Sequence, residues 1–66
     1  MDQVLQFKTY CFEIYKLAKG LSAKETFELF EKYGVFKYLE IGFKVLSTTG
    51  DKYIVSDIDI FIDARK

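Results

Sequence analysis

The chain has no histidine, no proline, one cysteine and one arginine in 66 residues. With no imidazole, the only intrinsically reactive nucleophile, Cys11, has no base to activate it. A lone thiol excludes a disulfide within the chain, and without histidine it cannot assemble a zinc site from the usual ligands. Ten acidic and ten basic side chains cancel. Arg65 is the sole arginine, so the cationic surplus and guanidinium forks that bind phosphate are missing. No uncharged stretch approaches the ~20 residues needed to span a bilayer. The opening Met1-Asp2-Gln3 lacks the positive region and apolar run of a secretory signal. With one free thiol, the expected setting is the reducing cytoplasm, away from membranes. Low-complexity tracts and internal repeats are also absent, and glycines alone punctuate the sequence.

What the chain does have is rings: seven Phe and five Tyr. That is packing material rather than chemistry. A single domain of this size buries only about 60% of the surface its unfolded chain exposes. Small folds offset the thin core with disulfides, metals or association. Association, with a second copy or with another protein, is the device left open here.

The apolar spacing is helical. From Asp2 to Lys19, Val4, Phe7, Cys11, Ile14, Tyr15 and Ala18 share one arc, with Tyr10 and Leu17 flanking it. Lys16, Lys19 and Gly20 suit a helix end. Leu21-Ser22-Ala23-Lys24-Glu25 carries a capping box, in which Ser22 and Glu25 satisfy each other's amides. The helix it opens sets Ala23, Phe27, Leu29, Phe30 and Tyr33 on one side, and Gly34 ends it. Lys24–Glu28 and Glu28–Lys32 are spaced for ion pairs on the other side. A third helix is expected from about Val35 to Ser47, running through Gly42. Phe36, Leu39, Phe43 and Leu46 form one stripe and Tyr38, Ile41 and Val45 another, as in a central helix. Near the end, Ser56 looks like an N-cap with Asp57 and Asp59 in the following first turn. The same segment, Asp57 to Asp63, also alternates with the period of a strand. The expectation is an all-α fold: one domain over 1–66, a small bundle of three longer helices and a short C-terminal helix, with a C-terminal strand as the alternative.

No catalytic, cofactor-binding or metal-binding residue emerges. Cys11, in the middle of the first apolar arc, reads as a buried structural thiol. Asp51, Asp57, Asp59 and Asp63 lack the close spacing and bend glycine of a calcium loop, and read as helix-start acids. Ser47-Thr48-Thr49-Gly50 lacks the setting of a phosphate loop and reads as turn chemistry. Helices two and three, joined at Gly34, have helix-turn-helix topology, but apolar side chains stand where groove-reading polar ones belong. Leu5 and Phe12 lie off the main arc beside Lys8, Lys16 and Lys19. Either the bundle wraps that far, or they form an apolar spot rimmed by lysine, the anatomy of a protein contact. Ile41, Val45 and Ile60 are equally hard to bury.

The chain resembles a family of short bacterial and archaeal proteins, the domain of unknown function 3791. The resemblance covers nearly all of it. It rests on Tyr10-Cys11-Phe12-Glu13-Ile14-Tyr15, on Leu21-Ser22-Ala23-Lys24-Glu25 with Leu29-Phe30 and Tyr33-Gly34-Val35, on Val45-Leu46 before Thr48-Thr49-Gly50, and on Ile54-Val55-Ser56-Asp57-Ile58 with Ile62. Members often carry glycine where Ala23 stands and histidine where Ser47 stands, so this chain lacks the one titratable group of that loop. Relatives sit in compact gene clusters beside other small proteins, one kind resembling ADP-ribosyltransferases. The resemblance thereby implies an accessory or antitoxin-like component with a protein partner. The expected function is a non-enzymatic protein–protein interaction module, self-associating or binding another protein, with candidate contacts Leu5, Phe12, Tyr38, Ile41, Val45 and Ile60. A helix-turn-helix-like DNA-binding regulator is the alternative, disfavoured by charge.

Overall fold

A computed structural model describes residues 2–66. Helix α1 (Gln3–Lys19) starts at Asp2, whose carboxylate accepts from the amides of Val4 and Leu5 at 3.0 and 3.3 Å. These amides have no partner within the helix, so the cap satisfies donors that would otherwise rely on water. Helix α2 (Ala23–Tyr33) opens on the capping box read from the sequence. The Glu25 amide donates to Ser22 Oγ at 3.0 Å, and the Ser22 amide donates to Glu25 Oε1 at 2.9 Å. The amide and hydroxyl of Ser22 hold the Glu25 carboxyl below its ordinary range.

Gly34 stands between α2 and α3 (Val35–Ile41) at φ 70°, and a Cβ there would meet nothing within 4 Å. Its role is therefore backbone freedom rather than room for a neighbour. A left-handed residue with a Cβ costs about 1–2 kcal/mol, so Gly34→Ala should lose about that much in urea denaturation. An unchanged midpoint would show that the turn relaxes.

The third helix is not continuous. Gly42, at φ −89° and ψ 8°, separates α3 from α4 (Phe43–Leu46). The Gly42 amide still reaches the Tyr38 carbonyl at 2.9 Å, but the Gly42 carbonyl is shared by the amides of Val45 and Leu46 at 3.1 and 2.8 Å. A Cβ on Gly42 would stand 3.0 Å from Leu46 Cδ1. The missing side chain thus lets the chain turn so that Leu46 drops into the core.

Helix α5 (Asp51–Asp63) corrects a second expectation. It begins at Gly50 and not at Ser56, and it is one of the longer helices; no strand occurs among the described residues. Ser56 is an exposed mid-helix residue. Ile54, Ile58 and Ile62, at four-residue spacing, form its buried stripe. The threonine hydroxyls before it donate backward, Thr48 to the Val45 carbonyl and Thr49 to the Leu46 carbonyl, each at 2.7 Å. They close α4 and leave Gly50 to start α5.

The bundle meets at Phe7, Cys11 and Tyr15 of α1, Phe30 of α2, Val35 and Leu39 of α3, Leu46 of α4 and the three isoleucines of α5. Thr26 is buried among them, its hydroxyl satisfied by the Ser22 carbonyl at 2.8 Å. The two-sided greasiness of the third helical segment is thus half realised. Val35 and Leu39 are fully buried, while Ile41 and Val45 remain outside.

Candidate functional site

Two arrangements of side chains stand out, one holding the fold and one left open. The first straps α5 to its neighbours with tyrosine–aspartate hydrogen bonds. Tyr15 donates to Asp59 Oδ1 at 2.6 Å, and Lys19 pairs with Asp59 Oδ2 at 2.9 Å. Tyr10 donates to Asp51, and Tyr38 to Asp57. Tyr38 also stacks on Phe61 at 4.1 Å, and Phe61 in turn carries the Arg65 guanidinium at 3.7 Å. Asp57 and Asp59 are therefore not first-turn acids, as their order after Ser56 implies. They are mid-helix acceptors for α1 and α3, and only Asp51 keeps a helix-start position. Asp63 ends the helix and pairs with Lys66 at 3.4 Å.

Burial raises the Tyr15 hydroxyl well above its ordinary range, and the Asp59 carboxylate adds to the effect. Burial and the Asp57 hydrogen bond push Tyr38 up to about 12. The hydrogen bond to Asp51 raises Tyr10. For Asp59, burial pulls upward, but the Tyr15 hydroxyl and the Lys19 ammonium outweigh it and hold the carboxyl below its usual value.

Cys11 is fully buried, and desolvation, with the charge of Asp51, pushes its thiol up to about 12. It is a packing residue with almost no thiolate at neutral pH. Among the described residues, no cluster of three His, Cys, Asp or Glu side chains is placed to hold a metal ion.

The second arrangement is an open groove of about 390 Å³ between α1 and the α2–α3 corner. Phe12 and Phe36, stacked at 6.3 Å, form its floor, and Leu5 and Phe27 form its lips. Lys8 stands on the α1 wall and Glu31 on the α2 wall. Leu5 is 58% exposed and Phe27 53%. Phe12 is only half-exposed because its ring also packs edge-on against the buried Phe30 at 5.7 Å. It is floor and core edge at once.

The six sequence candidates do not form one surface. Leu5 and Phe12 share this groove. Tyr38 and Ile41 lie in another, with Tyr33, Lys37, Phe61 and Arg65. Val45 and Ile60, 71% and 64% exposed, line neither. Phe27 and Phe36 were not foreseen at the groove, because the pattern assigns both to buried stripes. The cause is Thr26. The buried line of α2 runs through Thr26 and Phe30, and a polar residue at its centre shifts the apparent apolar face toward Phe27. The capping box held the missing signal, since Ser22 offers its carbonyl to a hydroxyl four residues on.

Among the described residues no helix is long and apolar enough to cross a membrane. The molecule is thus a small all-helical bundle with an unfilled apolar groove and no gathered reactive groups. Its sequence matches the family described as protein of unknown function (DUF3791) over residues 6–65, and the chain belongs to that family. No curated protein and no solved structure matches it.

Proposed function

We propose that the protein is a non-enzymatic contact module of the cytoplasm, an accessory or antitoxin-like component that works by docking the apolar face of a partner helix into the α1–α2 groove. The observation that carries this reading is Leu5, 58% exposed on the lip of a groove floored by Phe12 and Phe36. An apolar concavity rimmed by charge is how amphipathic helices are received, and large apolar side chains left in water mark such sites. Several features support it further. The charges balance, the one thiol is buried, and the tyrosines with raised values are bound up in the α5 strap.

Leu5→Glu is the test. Leu5 is the third residue of α1, whose first turn holds no acid, so a carboxylate there favours the helix dipole. Circular dichroism and melting temperature should match the wild type. Capture of the cellular partner by the tagged chain, read by quantitative mass spectrometry, should fall about tenfold or more, as expected for loss of a buried anchor. Equal capture by the folded variant, of a second copy as of any other protein, would overturn the groove as the contact face.

A further inference from the structure

We infer that the occupant of this groove is a second copy of the chain, bound about a twofold axis; the inference rests on the docking reading above. The groove is self-complementary in charge. Lys8 projects from the α1 wall and Glu31 from the α2 wall, on either side of an apolar floor. Among the described residues neither takes part in an ion pair. A twofold axis running along the length of the floor lays α1 of each copy along α2 of the other. Lys8 of one copy then meets Glu31 of its mate, twice over, as an isologous interface requires. A partner with a uniformly acidic or basic rim would satisfy one wall and be repelled by the other.

Leu5 and Phe27 are the exposed apolar side chains of the rim, and Phe12 and Phe36 are the half-buried ones between them. Ten positive and ten negative charges leave no net repulsion between copies. Burying the groove also supplies the apolar contact that a core of this size lacks.

Sedimentation equilibrium from micromolar to millimolar concentration tests the pairing on the wild type, Leu5→Glu, Lys8→Glu, Glu31→Lys and the doubly reversed Lys8→Glu/Glu31→Lys chain. Circular dichroism serves as the folding control for each. The wild type should shift from monomer to dimer mass with concentration. Leu5→Glu should stay monomeric. Each single reversal should weaken dimerisation about tenfold, since it faces two like-charged pairs across the axis. The double reversal should regain most of the wild-type affinity, which neither a structural role nor a general charge effect produces. A wild type monomeric throughout, or a double reversal no better than the singles, overturns the twofold pairing. The two readings separate cleanly. A monomeric wild type whose captured protein is still lost in Leu5→Glu overturns self-pairing and keeps the docking groove. Self-association and capture both unchanged in Leu5→Glu overturn both.

Discussion

Phe30→Ala should leave little folded protein at physiological temperature. Phe30 is fully buried. Its ring stands edge-on to Phe36 at 5.2 Å and to Phe12 at 5.7 Å, and tilts against Tyr15 at 5.5 Å. It therefore joins α1, α2 and α3 through one side chain. Truncating such a ring costs about 3–5 kcal/mol, part of it from the cavity left behind. A domain of this length has roughly 3–10 kcal/mol of stability in total. The loss should show as a fall of some 12–40 °C in melting temperature, at about 4–8 °C per kcal/mol. Phe27→Ala is the matched comparison. It removes the same ring from the same helix, but from the half-exposed groove lip, and should cost under about 1 kcal/mol. Equal losses for the two would mean that α2 is rotated relative to the phase described above. The same experiment bears on the groove, because Phe12 and Phe36 form its floor only while Phe30 holds them from behind.

The sequence is legible where local chemistry decides the structure. The Ser22–Glu25 box and the stops at Gly20 and Gly34 are backbone requirements met within a few residues, and each stands where the pattern puts it. The all-helical class and the buried Cys11 follow from spacing alone. Legibility ends where a distant partner reassigns a residue. Ser56-Asp57 is a sound cap on local grounds, but Tyr38 claims Asp57 and Tyr15 claims Asp59 from other helices. Those acceptors are needed in mid-helix, which moves the start of α5 back to Gly50. Gly42 is ambiguous for a related reason. Its effect depends on Leu46 needing the space that a Cβ would fill. For the groove, Leu5 and Phe12 were visible as residues off the main arc, while the opposite wall was hidden by the polar Thr26 at the centre of the buried face of α2.

The tyrosine–aspartate strap should make the fold fail at alkaline pH. Tyr15 and Tyr38 have folded-state values raised above the ordinary 10.0. A group raised in the folded state contributes stability that is complete below its unfolded value and is lost as pH climbs toward the folded one. Each such tyrosine keeps its proton in the native state while the unfolded chain releases it, so rising pH favours unfolding. For Tyr15, 3% exposed, the loss approaches about 1.4 kcal/mol for each pH unit above ~10. Water screens the more open Tyr38 and trims its share. Asp59 works in the opposite direction. Its folded-state value is depressed below 3.8, so its contribution is present at neutral pH and lost only as pH falls below about 4. The urea midpoint should therefore hold level from about pH 5 to 8, begin to fall near 9 as the unfolded chain ionises the Cys11 thiol that burial keeps protonated in the fold, and drop more steeply beyond ~10. Tyr15→Phe isolates the cause. It gives up a hydrogen bond to a charged acceptor, costing about 1.5–3 kcal/mol at neutral pH, and makes the fall beyond ~10 shallower, leaving the share of Tyr38 and Cys11. Tyr53→Phe removes an exposed ring hydroxyl outside the strap and should keep the wild-type slope. An alkaline slope in Tyr15→Phe as steep as in the wild type would mean that the Tyr15 hydroxyl is not one of the ties between α1 and α5.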